Sequence, residues 1–151
     1  MINAEDTYLY SVRNDWSLSD FYLELTASPS MCRELDEYGI LLRYNSAGDF
    51  YRFSLSCNGQ VRLDRIYQGT ASSPQPWLVS YAVPPGAPSS SRLGVWAVGS
   101  EMRFFVNDHY QFTILRADGE KRLCTKHMTD FSDRRGRRNL VINMLDITEK
   151  A

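Results

Sequence analysis

Two acidic residues at alternate positions are the first candidates for chemistry in this sequence. On a strand such residues share one face, where one carboxylate can act as nucleophile and the other as general acid in sugar hydrolysis. Glu34 and Asp36 have this spacing, while Glu37 would point to the opposite face. The pair follows the segment Ser28-Pro29-Ser30 and precedes an apolar strand pattern, so we expect a solvated loop there and no catalytic site.

The histidines and cysteines give little support to nucleophilic or zinc chemistry. Neither His109 nor His127 lies in a nucleophile-elbow pattern, and His109 falls in a tight turn, where we expect it to face solvent. Cys124 and His127 are separated by two residues, but structural zinc requires a second ligand pair, and Cys32 and Cys57 are not spaced to provide one. We therefore predict that the chain is not an enzyme and binds no zinc.

Calcium and disulfides also lack a clear signal. Calcium in loop sites is held by oxygens that no short motif announces, and Asp15, Asp20 and Asp49 are unranked candidates, so we predict no cofactor. The 3 cysteines cannot all pair within one chain and lack the spacing of a disulfide framework. We expect them to be free thiols.

The densest local charge lies in four arginines, Arg134, Arg135, Arg137 and Arg138. Such a cluster could bind phosphate, sulfate or a carboxylated glycan. However, Asp130 and Asp133 lie beside it and no aromatic residue interleaves with it, so a solvated turn is the simpler interpretation. The whole chain carries 17 basic and 18 acidic residues, a net charge of -1, which predicts no nucleic-acid partner.

Apolar and polar residues alternate in short runs, which glycine, proline, asparagine or serine separates, and this pattern predicts an all-β protein. The predicted strands are Phe21–Ala27, Tyr38–Tyr44, Phe50–Ser56, Val61–Tyr67, Leu78–Val83, Leu93–Val98, Met102–Val106, Tyr110–Leu115 and Leu140–Ile147. Nine strands suit a two-sheet antiparallel β-sandwich, and 151 residues suit one domain over residues 1–151. We expect the proline- and serine-rich segments Ser72–Pro76 and Pro84–Ser91 to be connections between the sheets.

The hydrophobic pattern also predicts the register of two hairpins. A three-residue loop at Cys57-Asn58-Gly59 sets Phe53 opposite Leu63 on an apolar face and Arg52 opposite Asp64 on the other face. From this register we expect Phe53→Ala to cost about 3–5 kcal/mol of stability through lost burial, and Arg52→Ala about 0–1 kcal/mol as an exposed ion pair.

A two-residue loop at Gly99-Ser100 sets Val95 opposite Phe104 in the second hairpin. The same register leaves Trp96 opposite Arg103 on the far face, where the indole and the guanidinium can stack.

The residues of these strands resemble bacterial concanavalin A-like lectin/glucanase domains. The resemblance extends roughly from Trp16 to Phe112, and Asp108 stands where many relatives have glycine. It is carried by Phe21–Leu25, Tyr38–Tyr44, Phe50–Leu55 with its Asn-Gly turn, Arg92-Leu93, Val95, Gly99 and Phe105–Asn107. The resemblance implies a jelly-roll of two antiparallel sheets, one of them concave, on which relatives often bind glycans.

Aromatic side chains are the natural candidates for sugar contacts, because the C–H groups of a pyranose lie well on flat rings. Trp96 stands out, since Val95 and Ala97 take the apolar register and send it to the other face, beside Arg103. By the resemblance and by their places near loop junctions, four further residues are candidates for ligand binding: Tyr44, Tyr51, Trp77 and Tyr81.

We therefore predict a non-catalytic ligand-recognition module that binds a carbohydrate. The alternatives are a protein-interaction or sensory accessory domain of a larger bacterial protein, with another protein as partner, and a sugar-active hydrolase with an unrecognised site.

No apolar run approaches the roughly 20 residues of a membrane helix, so we expect no direct membrane insertion. The segment Met1–Tyr10 lacks the features of a signal peptide, and both a cytosolic protein and a domain of an exported or membrane-tethered chain fit the sequence.

Overall fold

The computed structural model describes residues 11–18, 20–115, 124–129 and 140–143, and this part of the chain contains strands and no helix. Its strands are β1 (Ser11–Leu18), β2 (Phe21–Pro29), β3 (Glu37–Ser46), β4 (Asp49–Ser56), β5 (Gln60–Tyr67), β6 (Thr70–Val79), β7 (Ser91–Val98), β8 (Glu101–Val106), β9 (His109–Leu115), β10 (Cys124–Thr129) and β11 (Leu140–Asn143). They form a six-stranded sheet in the order β1-β10-β3-β4-β5-β6 and a five-stranded sheet in the order β11-β2-β7-β8-β9. Every pair of neighbouring strands is antiparallel.

The two sheets pack face to face through aromatic side chains. The ring of Phe53, on β4 of the six-stranded sheet, lies 4.8 Å from that of Phe104, on β8 of the five-stranded sheet. Phe104 in turn stacks on Phe112 of β9 at 4.7 Å. Phe53 and Phe104 are both 0% exposed, so this contact lies at the centre of the core. The predicted all-β, two-sheet antiparallel sandwich with a jelly-roll architecture is confirmed.

Both hairpin registers are confirmed. Phe53 pairs with Leu63 and Arg52 with Asp64 across the β4–β5 loop. Gly59, the last residue of this loop, has φ of +85°, a left-handed conformation that a side chain would strain. In the second hairpin Val95 pairs with Phe104 and Trp96 with Arg103.

Strand β6 differs from the sequence prediction. It covers Thr70–Val79, so the segment Ser72–Pro76, which we expected to be a connection, forms part of a strand, and the strand predicted at Leu78–Val83 ends four residues early. The physical reason is position: β6 is the last strand of its sheet, and an edge strand tolerates prolines because its outer N–H groups need no partner. Its register with β5 is interrupted between Val61 and Leu63 and again between Leu63 and Arg65.

Strands β1 and β10 are not among the predicted strands, because their sequences SVRNDWSL and CTKHMT lack a clear apolar alternation. The strand predicted at Leu140–Ile147 is confirmed as far as Asn143, and its remaining residues lie outside the described part of the chain. The arginine cluster, residues 134–138, also lies outside the described residues. The segment predicted as a connection, Pro84–Ser91, lies between β6 and β7 except for Ser91, the first residue of β7, and the chain crosses there from one sheet to the other, as expected.

Cys32 and Cys57 form a disulfide, so the expectation that all the cysteines are free thiols is wrong. Their Cα atoms are 5.5 Å apart, a separation suited to a disulfide. The bond ties the loop before β3 to the turn between β4 and β5, where the Cys57 amide also donates a hydrogen bond to the Asp36 carbonyl at 3.0 Å. The spacing of Cys32 and Cys57 does not indicate this disulfide, because their approach depends on the pairing of β3 with β4.

Removing this disulfide is expected to destabilise the protein. For a sequence separation of 25 residues, the loop-entropy account predicts a loss of about 3–4 kcal/mol in Cys32→Ala/Cys57→Ala. Urea denaturation measures the loss, and the matched control is reduction, which should destabilise the parent chain and leave the double variant unchanged. Thiols of the denatured parent chain are counted before and after reduction. If reduction does not add two thiols to the count, the disulfide assignment is incorrect.

Tyr38 links the sheets by a polar contact and gives stability a pH dependence. Its side chain is 3% exposed, and its hydroxyl lies 3.3 Å from Oγ of Ser91 on β7. Burial raises the pKa of the phenol above its ordinary value, although hydrogen bonds with Ser91 and Ser89 oppose the shift.

Tyr38→Phe is therefore expected to flatten the loss of stability at alkaline pH. The buried neutral phenol contributes stability that is complete below about pH 10, the ordinary tyrosine pKa, and is lost as the pH rises through the raised pKa. Free energies of unfolding measured between about pH 8 and about pH 11 should fall less steeply in the variant than in the parent. Parallel pH profiles for the two chains would contradict this role.

Candidate functional site

A network of charged side chains lies on the outer side of the six-stranded sheet. Successive side chains of a strand point to opposite faces of its sheet. Phe53 of β4 and Leu63 of β5 point toward the five-stranded sheet, so the residues next to them on each strand point away from it. The side chains that form this surface are Glu37 of β3, Arg52 of β4, Arg62 and Asp64 of β5, and Trp77 of β6. We call it the charged face.

Asp64 is the centre of this network. Its Oδ2 atom accepts hydrogen bonds from Nη2 of Arg52 at 2.6 Å and from Nε of Arg52 at 3.2 Å, and its Oδ1 atom accepts one from the Ser73 hydroxyl at 2.6 Å. Nε of Arg62 lies 3.2 Å from the same Oδ2. The side chains of Arg52 and Asp64 are only 8% and 5% exposed, so the expectation of an exposed ion pair is wrong. They act as a buried support for their more accessible neighbours.

Arg62 and Trp77 are the accessible part of the charged face. Nη2 of Arg62 donates to both carboxylate oxygens of Glu37, at 2.9 and 3.0 Å, and the guanidinium carbon lies 4.4 Å from the centre of the Trp77 ring. The Arg62 side chain is 19% exposed and Trp77 is half-buried. The carboxylates of Glu37 and Asp64 and the stacked indole of Trp77 hold the Arg62 guanidinium in one orientation. This order lowers the entropy cost of a further hydrogen bond from Arg62 to a ligand.

This arrangement suits a ligand rich in hydroxyl groups. Two arginines face two carboxylates, so the formal charges of the charged face cancel. Guanidinium groups donate and carboxylates accept, whereas a sugar hydroxyl can do both. An indole beside them offers a flat apolar surface to the C–H groups of a sugar ring.

Trp96 and Arg103 lie on the other side of the molecule. The Arg103 guanidinium stacks on the Trp96 ring at 4.6 Å, which confirms the predicted contact, and its Nε donates to Glu101 at 2.6 Å. Both belong to the outer side of the five-stranded sheet, whereas Trp77 belongs to the six-stranded sheet. The two tryptophans therefore cannot contact one ligand unit together.

The remaining candidates lie in three different places. Tyr51 is buried in the sandwich, 6% exposed, with the Arg65 guanidinium 4.7 Å from its ring, so it presents no ring face to a ligand. Tyr44 stacks on Phe50 at 5.6 Å near the end of β3. Tyr81, in the loop after β6, is fully exposed. The six predicted residues do not form one site.

Sequence reasoning predicted the Arg52–Asp64 pair but gave neither it nor Arg62 and Glu37 a role in binding. A signal was present, because Arg62 and Asp64 alternate with apolar residues and must share a face. Trp77 could not be added to that face, because the strand that carries it was predicted to begin one residue later.

The acidic residues Glu34 and Asp36, for which we expect a loop and no catalytic role, lie in a turn and the residue after it. Glu34 is exposed with a positive φ of 48°, and Asp36 accepts a hydrogen bond from the Arg33 amide at 2.9 Å. The loop interpretation is confirmed. His109 is exposed, as expected, but it is the first residue of β9 and does not lie in the turn before this strand.

Two of the calcium candidates have protein partners. Asp20 accepts a hydrogen bond from the Gly99 amide at 2.8 Å, and Asp49 lies 2.7 Å from Arg65. Across the described ranges, no group of three or more histidine, cysteine or acidic residues is placed to hold a metal ion.

No protein-family model matches the chain, and no curated protein is significantly similar to it. Solved structures do share its fold. A carbohydrate-binding module of Bacillus subtilis, CBM66, superposes with a TM-score of 0.69 at 14% identity, over 98% of this chain and 84% of that one. A tetrameric galectin from the sponge Cinachyrella gives 0.64 at 13% identity, over 95% and 98% of the two chains, and Xenopus laevis galectin-Ib gives 0.62 at 11%, over 89% and 99%. At such identities these similarities show the jelly-roll β-sandwich fold alone.

Proposed function

We propose that this protein is a non-catalytic carbohydrate-recognition module that binds its ligand on the charged face. The observation that carries the proposal is the placement of Trp77 against Arg62, at 4.4 Å, above a buried Arg52–Asp64 pair. Removing the Arg52 and Asp64 charges from water costs free energy, which their mutual attraction need not recover. We therefore attribute the pair to the positioning of Arg62 for ligand binding and not to a gain in folding stability.

The proposed ligand is a neutral saccharide. Glu37 and Asp64 balance the charges of Arg62 and Arg52, so the charged face has no net charge with which to attract an anionic glycan. Trp77 would stack on a sugar ring, and Arg62 and Glu37 would exchange hydrogen bonds with its hydroxyl groups.

The similar structures support this reading by their names. They include a carbohydrate-binding module and several galectins, one of them a toad ovary galectin in complex with thio-digalactose, with a TM-score of 0.59 at 8% identity. Membership of the bacterial concanavalin A-like lectins remains a proposal of ours, made on the strand residues of the sequence.

A glycan array tests the proposal. We expect the parent chain to bind one or more neutral glycans, Trp77→Ala to lose most of the signal, and Trp96→Ala to retain it. Trp96 is a matched control, because it is also half-buried and stacked by an arginine but lies on the other sheet. Loss of binding in Trp96→Ala alone would move the site to the five-stranded sheet, and silence of the parent across the array would favour a protein-interaction or sensory role.

We also propose that the chain functions in an oxidising compartment, because its Cys32–Cys57 disulfide would be reduced in a cytosol. In the described residues there is no helix that is long and apolar enough to cross a bilayer. Trapping of thiols in cells that express the native gene tests the proposal, and recovery of both cysteines as reduced thiols would contradict it.

A further inference from the structure

A cleft lies between the edge strands of the two sheets, and the β6 residues that line it directly follow Trp77 of the charged face. It lies between the end of β6 with the loop that follows and the start of β9, and its volume is about 380 Å³. This volume falls within the roughly 300–1,000 Å³ of typical small-molecule sites. Val79 and Tyr81 line one side of the cleft, and His109, Tyr110 and Gln111 line the other.

Apolar surface is unusually exposed around this cleft. Tyr81 is 102% exposed, Val79 68% and Tyr110 58%, and Leu78 beside them is 38% exposed. The Tyr110 ring makes an edge-on contact with Phe105, with ring centres 6.0 Å apart, whereas Tyr81 projects fully into solvent. Exposed apolar groups that cluster at one place mark candidate interaction sites. Their concentration at one concave place is what a binding site requires.

The loop that carries Tyr81 is held firmly in spite of its exposure. The Ser80 amide donates to the Gly59 carbonyl at 2.9 Å, and the side-chain amide of Asn107 donates to the Ala82 carbonyl at 2.9 Å. Val83, two residues after Tyr81, is buried at 2% exposure. Because the backbone is anchored on both sides of Tyr81, a ligand would not have to order this loop.

The opposite wall is also fixed by hydrogen bonds. The hydroxyls of Tyr110 and Thr113 lie 2.7 Å apart, and the side-chain amide of Gln111 donates to the His109 carbonyl at 2.9 Å. Among the described residues, those that line the cleft include no lysine, arginine or acidic residue. Its lining therefore combines aromatic rings with groups that donate and accept hydrogen bonds and carries no fixed charge.

From this cleft we infer a second binding site, which takes a single neutral sugar unit between Tyr81 and Tyr110. Aromatic rings at the rim match the apolar faces of a sugar, and the imidazole of His109 and the amide of Gln111 match its hydroxyl groups. None of the five residues that define the charged face lines the cleft, although Leu78 directly follows Trp77 on β6, so variants can separate the two sites.

Chemical-shift mapping tests the inference on the full chain. The ¹⁵N-labelled protein is titrated separately with D-galactose, D-glucose and D-fructose to about 50 mM, a range that reaches weak millimolar affinities. At least one hexose is expected to give saturable shifts at the amides of Tyr81, Ala82 and Gln111. Tyr81→Ala and Tyr110→Ala should each weaken that binding by about three- to tenfold.

Tyr67→Ala is the matched control, because Tyr67 is 44% exposed and pairs with Thr70 at the opposite end of β6. It should bind as the parent does, and equal melting temperatures would show that the variants are folded. The inference is overturned if no hexose perturbs the cleft amides saturably, or if both tyrosine variants bind like Tyr67→Ala. Shifts confined to Arg62, Asp64 and Trp77 would support the charged face and overturn the cleft, so the two proposals can fail separately.

Discussion

Replacing Phe53 with alanine is expected to lower the free energy of unfolding by about 3–5 kcal/mol. Phe53 is 0% exposed, and its ring contacts Phe104 at 4.8 Å and Phe112 at 5.9 Å across the two sheets. The close packing of three rings leaves little room for the neighbours to collapse into the cavity, so most of the loss should persist.

Denaturation in urea measures this loss, and Phe105→Ala is its matched control. Phe105 lies one residue after Phe104 on the outer side of β8 and is only half-buried, so its removal should cost distinctly less. Equal losses in Phe53→Ala and Phe105→Ala would mean that the faces of the sandwich have been assigned wrongly.

Asp64→Ala is expected to have an effect of similar size, about 3–5 kcal/mol, because it removes the carboxylate that balances the buried charge of Arg52. Asp64 is 3% exposed, accepts hydrogen bonds from Arg52 and Ser73, and forms an ion pair with Arg62. Without it, the Arg52 guanidinium loses both hydrogen bonds that it donates to the Asp64 carboxylate, while its surroundings still exclude water.

Arg52→Ala is the control for this prediction. Asp64 would still have Arg62 and Ser73 as partners in that variant, so we expect a smaller loss than in Asp64→Ala. A loss of only about 0–1 kcal/mol in Asp64→Ala, typical of an exposed ion pair, would contradict the burial of the network.

The central hairpins could be predicted from the sequence because their strands have one apolar face and one polar face. For the loop at residues 57–59, only one loop length sets Phe53 opposite Leu63, and a shift by one residue would bury charged side chains. The same alternation places Trp96 opposite Arg103 on the outer face of the second hairpin and predicts their stacking.

Strands at the margins could not be predicted in this way. Strand β6 contains Pro74 and Pro76. Proline interrupts a central strand because it cannot donate a backbone hydrogen bond, but β6 is an edge strand and tolerates it. Strands β1 and β10 are largely polar, so periodicity gave no signal for either of them.

The candidate site depended on those missing elements. The pairing of Arg52 with Asp64 was predictable, but its burial was not, because it depends on packing beyond the hairpin itself. Trp77 reaches Arg62 only because β6 pairs with β5 through an interrupted register. Sequence alone therefore identified Trp77 as a candidate without its partners, and grouped it with Trp96 from the other sheet.

Tryptophan fluorescence tests the central claim most directly, because the 3 tryptophans of the chain lie on three different strands. Trp16→Phe/Trp96→Phe leaves Trp77 as the only indole, and Trp16→Phe/Trp77→Phe leaves Trp96. Each chain is titrated with the neutral glycan that gives the strongest signal on the array. We predict a saturable change in the emission of Trp77 and no change in that of Trp96. A saturable change in Trp96 with a silent Trp77 would contradict the assignment of the charged face as the carbohydrate-binding surface.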